Sequence, residues 1–154
     1  MKRLVEKLKN NNKTISTMES CSGGALASAI TDIEGASDVI CFSAVTYSNE
    51  FKIKMGVAKD VIDEYSVYSF ETANDMSFNI SKYSNSSYGV GITGKLNKVD
   101  KNNLFGDDNI VFISIYDKDN NKFYNEKIKV IKSSRNENKK LVIDKVVEML
   151  ISII

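Results

Sequence analysis

"TISTMESCSGGALASAIT", residues 14–31, is the stretch whose reading decides the fold. Thr14–Thr17 is short and β-branched, the habit of a strand. From Ser22 to about Thr31 the residues are small, and Leu26 and Ile30 recur four apart, as in a helix packed tightly against a sheet. Between them "ESCSGG" (Glu19–Gly24) crowds a carboxylate, two hydroxyls, a thiol and two glycines into a strand-to-helix junction. The junction admits three readings: a phosphate cradle, a nucleophile's seat, or a tight turn. Ser22 can cap the helix, and Gly23 and Gly24 would let its first N–H groups point outward, toward phosphate or a developing oxyanion. Short glycine motifs decide nothing alone.

Working outward, "VICFSAVTY" (Val39–Tyr47) is a continuous apolar run, the pattern of a buried strand. Leu4, Val5 and Leu8 predict a short amphipathic helix before the first strand. Two short helical pieces follow near Asn49–Met55 and Lys59–Glu64, then a longer helix near Ser69–Tyr83 with Ser69 as its N-cap. "YGVGIT" (Tyr88–Thr93) reads as another buried strand, its glycines permitting close approach. "NIVFISIYD" and "KFYNEKIKVI" alternate around "KDNN" and predict a β-hairpin. The last segment, about Arg135–Ile154, carries two apolar stripes: Ile143, Val147, Leu150 and Ile154, and Val142, Val146, Met149 and Ile153. That face is wider than a surface helix needs, enough to pack on the sheet or also to support a dimer. The pattern predicts one α/β domain over residues 1–154, a three-layer α/β/α sandwich with a mixed central sheet.

Composition narrows the chemistry. The 154 residues are 42% hydrophobic and 27% charged, an ordinary globular balance. With 21 Lys+Arg against 20 Asp+Glu, there is no electrostatic case for nucleic acid as a partner. No apolar run approaches the ~20 residues that span a bilayer, and the basic start lacks a signal peptide's apolar core, so the expected location is the cytoplasm. The chain has no histidine, which excludes a His base or a His-ligated metal. Its two cysteines, Cys21 and Cys41, form no CxxC motif, and no metal site is expected.

Other candidates give way to simpler readings. Asp117, Asp119 and Asn121 mimic the start of a calcium loop, but Lys122 and Ile128 stand where its glycine and glutamate belong, so this is a hairpin turn. "GDDN" (Gly106–Asn109) reads as a loop entering a strand. Tyr47 and Lys52 are one residue further apart than a dehydrogenase Tyr-x-x-x-Lys pair, and no G-x-G-x-x-G accompanies them. Cys21 lacks the histidine partner a thiol nucleophile usually needs, whereas Ser20 could be activated by a lysine.

Taken together, "ESCSGG", the Thr31–Ser37 segment "TDIEGAS" and "VTYSNEFK" (Val45–Lys52) closely resemble the CinA C-terminal domain family, which includes the nicotinamide-mononucleotide amidases. The resemblance covers essentially the whole chain and is strongest through about Ala73. It implies an α/β/α fold and a serine amidase that needs no cofactor and releases ammonia from a nucleotide carboxamide, as in NAD salvage. It also implies Ser20 as nucleophile with Tyr47 and Lys52 serving its activation. Glu19, Ser22, Gly23, Gly24, Thr46, Asn49, Thr93, Gly94 and Arg135 would form the substrate site, with Arg135 toward the phosphate. N–H groups around Ser22–Gly24 would stabilise the oxyanion. No segment matches the N-terminal molybdopterin-binding-like domain of longer CinA proteins, so a stand-alone form is expected. After Gly94 the family continues with a glycine-rich loop, but here the chain reads "KLNKVDKNNLFGDD" (Lys95–Asp108). That replacement supports a second reading, a diverged non-catalytic member that binds a nucleotide or a protein.

Overall fold

Ile15 and Met18 of the first strand serve two different cores. In Ile15–Glu19 (β1), Ile15 joins the larger apolar cluster and Met18 the smaller one, so the strand is covered on both faces. The computed structural model describes residues 1–154. Around β1 the chain forms α1 (Lys2–Asn10), α2 (Ala25–Thr31), a 3-10 turn (Ala36–Asp38), β2 (Ile40–Val45), α3 (Asn49–Lys54), α4 (Lys59–Tyr65) and α5 (Phe70–Ser84). Then come β3 (Tyr88–Gly94), the hairpin β4 (Ile110–Asp117) and β5 (Lys122–Lys129), and finally α6 (Arg135–Ile153).

The five strands lie in the order β2-β1-β3-β4-β5. β2, β1 and β3 are parallel, whereas β4 and β5 are antiparallel, which gives the mixed sheet. Helices α1, α2 and α6 cover one face, where Leu8, Leu26, Ile30, Val142 and Val146 meet Val90, Ile92 and Ile113. Helix α5 covers the other face, with α4 beside it. It sits so close that a Cβ on Gly89 would lie 2.0 Å from the Ser77 carbonyl oxygen, and one on Gly91 2.3 Å from that of Ala73. The two β3 glycines are therefore the groove that admits α5. Ser69 caps α5 by accepting the Thr72 N–H. Both apolar stripes of α6 find places within the chain: Val142, Ile143, Val146, Met149 and Leu150 are buried, and Val147, Ile153 and Ile154 pack partly against the same cluster.

Two expectations need correction. β2 is not a buried strand, because it lies at the sheet edge, where Phe42 and Val45 are 36% and 52% exposed. Its apolar run resembles a central strand, but it has a neighbour on one side only. Nor does Ser22 cap α2. The N-cap position is Gly24, in left-handed conformation at φ 86, and the Ser22 hydroxyl is buried without a partner.

The topology places a crevice. From β1 the chain passes through α2 to β2 on one side, then through α3–α5 to β3 on the other. The strand order reverses around β1, and the carboxyl ends beside such a reversal are where open α/β sheets bind ligands.

Candidate active site

Ser20 follows β1 directly at that reversal. Its N–H donates to the Ile92 carbonyl of β3 (3.0 Å), and the Thr46 N–H donates to the Glu19 carbonyl (2.8 Å), so both flanking strands fix the backbone here. After β2, Ser48 caps α3 by accepting the Phe51 N–H. The helix turns Lys52 inward, where it is 1% exposed. Lys52 Nζ donates to Ser20 Oγ at 3.0 Å and to the Thr46 carbonyl at 2.8 Å. Burial pushes its ammonium down from the ordinary 10.5 to about 8, against smaller upward pulls from Cys21 and Asp100. A hydroxyl thus touches an amine that can be neutral near physiological pH, the pairing a serine–lysine nucleophile requires.

Cys21 is beside this pair, but burial pushes its thiol up to about 12 despite the opposing charges of Arg135 and Lys52. It stays protonated and is a poor nucleophile. Tyr47 lines the same cavity as Ser20. It is 65% exposed at the rim, and its hydroxyl accepts from Arg135 at 2.9 Å; the hydrogen bond to Ser20 comes from Lys52.

Ser20, Asn49, Gly94 and Arg135 line a cavity of about 660 Å³. This volume suits a small-molecule ligand. The other residues expected at the substrate lie behind it. Glu19 is fully engaged: its carboxylate accepts the Leu26 and Ala27 N–H groups (3.1 and 2.9 Å) and the Thr17 hydroxyl (3.3 Å). It supplies the cap that Ser22 does not, and it occupies the positive end of α2. Thr46 holds Lys52 through its carbonyl, and the Thr93 hydroxyl donates to the Val67 carbonyl at 2.9 Å. Of the turn amides, that of Gly23 is already bonded to the Ser20 carbonyl (3.0 Å), whereas those of Cys21, Ser22 and Gly24 have no partner within the chain. Gly23 and Gly24 both adopt positive φ, which is why the turn takes glycine there.

The resemblance marks the segment after Gly94 as a departure at the substrate site, but the side chains it brings there were not legible in the sequence. Lys95–Asp108 folds across the cavity and is tied down at three points. Lys95 is buried and donates to the Gly106 carbonyl (3.1 Å) and to Asp108 (3.0 Å). The Tyr68 hydroxyl donates to Asp100, and the Asn49 amide of α3 donates to Asn103 (2.9 Å). Tyr68, Lys98, Asp100 and Asn103 therefore join the lining. For Lys98, Asp100 and Asn103 the only trace is a polar, charged segment without periodicity, and for Tyr68 there is none.

No three His, Cys, Asp or Glu side chains gather in a way that could hold a metal ion. No helix is long and apolar enough to cross a membrane.

Comparison with known proteins bears on the family and the fold. The chain is 44% identical over 96 residues to a competence-damage inducible protein of Thermoanaerobacter sp. (strain X514), covering 61% of this chain and 23% of that protein. It is 44% identical over 88 residues to a CinA-like protein of Endomicrobium trichonymphae, covering 56% and 21%. The chain thus spans less than a quarter of the length of these relatives. Among solved structures, the competence/damage inducible protein CihA of Agrobacterium tumefaciens superposes with a TM-score of 0.86 at 25% identity, covering 97% of this chain and 90% of the other. A CinA superfamily protein from Klebsiella pneumoniae shares the fold at TM-score 0.88 and 17% identity, with 97% and 91% covered. The profile described as CinA C-terminal domain matches residues 1–154 without a break, and the chain belongs to that family.

Proposed function

We propose that the protein is an amidohydrolase that converts the carboxamide of nicotinamide mononucleotide, or of a related pyridine nucleotide, to the acid and ammonia. The observation that carries this reading is the 3.0 Å contact between buried Lys52 Nζ and Ser20 Oγ at the foot of the cavity. In its neutral form Lys52 takes the Ser20 proton as Oγ attacks the amide carbon. The free amides of the Cys21–Gly24 turn are the candidate donors to the oxyanion of the tetrahedral intermediate. Lys52 then returns the proton to the leaving nitrogen, and ammonia departs. The Ser20 acyl ester is hydrolysed by water, again with Lys52 as the base. Arg135, held at the rim by Tyr47, and Lys98 offer positive charge to the substrate phosphate.

The test is incubation of the pure protein with nicotinamide mononucleotide and measurement of ammonia and of the acid product. Wild type should release both in equal amounts, and Ser20→Ala should release neither while keeping its fold. Tight binding without turnover in the wild type would favour the non-catalytic reading, which the charged Lys95–Asp108 wall supports.

A further inference from the structure

We infer that Asp100 is a specificity-determining residue of the cavity, whose carboxylate selects amides on a positively charged ring over neutral-ring isosteres. The inference rests on the amidase site described above and names a property of its substrate. Asp100 is the sole acidic residue of the lining. Its partners are all neutral: the Tyr68 hydroxyl, the Asn103 side-chain amide (2.9 Å) and the Asn102 N–H (2.9 Å). No lysine or arginine forms an ion pair with it, whereas the nearby Lys95 has its own counter-ion in Asp108 at 3.0 Å. The hydrogen bonds fix the carboxylate in place without cancelling its charge.

The wall that carries Asp100 is itself braced, because Asn103 accepts from Asn49 of α3 (2.9 Å). Tyr68 contributes its hydroxyl to the hold on Asp100, while its ring carries the Lys95 ammonium 5.2 Å from the centroid. Burial pulls Asp100 upward, but the bonds from Tyr68, Asn103 and Asn102 outweigh it and keep the group below the usual carboxylate range, hence ionised. A carboxylate with no ion-pair partner on the lining attracts a cation placed beside it and gives a neutral ring no such advantage. With Arg135 and Lys98 also in the lining, the charge pattern matches a ligand carrying one cationic ring and one anionic group.

The experiment measures binding rather than turnover. In the Ser20→Ala protein, calorimetry compares nicotinamide mononucleotide with its neutral carbon isostere, the 3-carbamoylphenyl C-ribotide. The cation should bind at least tenfold more tightly, and adding Asp100→Asn should bring the ratio close to one by weakening the cation alone. A ratio that Asp100→Asn leaves unchanged overturns the inference, and so does an equal loss for both ligands. Absence of any preference for the cation in the Ser20→Ala protein, including failure to bind either ligand, overturns it as well. Lack of ammonia release by the wild type would sink the amidase reading, yet this ratio would still decide the role of Asp100.

Discussion

Lys52→Met separates what the lysine does for the fold from what it does for the site. Lys52 is 1% exposed, so solvent screening does not discount the cost of burying its charge. Lowering its pKa from 10.5 to about 8 corresponds to about 3 kcal/mol at ~1.4 kcal/mol per unit. The folded pKa is the lower one, so between about 8 and 10.5 the unfolded chain binds more protons and stability rises with pH. The cost is therefore fully present below about pH 8 and fades toward 10.5. Methionine fills similar space without the charge, but it forfeits the hydrogen bonds to Ser20 Oγ and the Thr46 carbonyl, each worth about 1 kcal/mol. At pH 7 Lys52→Met should thus be more stable than wild type by about 1 kcal/mol while losing all amidase activity. At pH 9.5 the difference should shift by about 2 kcal/mol toward wild type. Urea titrations of both proteins at the two pH values read this directly, and groups unaffected by the substitution cancel. An unchanged stability gap would refute the reasoning, because Lys52 would then titrate alike in the folded and unfolded chains.

Two further substitutions test the frame and the rim. Gly91→Ala would drive a methyl to 2.3 Å from the Ala73 carbonyl oxygen, and since both are backbone-fixed, α5 must shift. The expected loss is about 3 kcal/mol or more, read by thermal or urea unfolding. Tyr47→Phe removes a hydroxyl that bonds Arg135 rather than the nucleophile, so kcat should stay within about threefold of wild type while KM rises. A fall of kcat by about a hundredfold or more would return Tyr47 to the proton path.

Local rules served well where partners are close in sequence. The Ser69 cap of α5, the hairpin around "KDNN" and the short helix carrying Lys52 all depend on residues a few positions apart. They failed where the partner comes from elsewhere in the fold. Nothing within α2 reveals that Glu19, at the end of the preceding strand, supplies the bonds that Ser22 was expected to make. An apolar run such as Val39–Tyr47 does not record how many neighbours its strand has, and β2 has one. Motif order singles out Ser20 and Lys52, and a position before the last helix singles out Arg135, yet only the fold separates Lys52, turned inward by α3, from Tyr47 left at the rim. The Lys95–Asp108 wall takes its shape from single long-range bonds, Tyr68 to Asp100 and Asn49 to Asn103, which leave no periodic trace.

The central claim is that burial makes Lys52 the base that activates Ser20. Its most direct test is the pH dependence of kcat/KM for nicotinamide mononucleotide between pH 7 and 10, which reports ionisations of the free enzyme. Neutral Lys52 is the active form, so the rate should climb through a single ionisation near 8 and then level off. A profile that is flat across this range, or that falls through 8, would contradict the account.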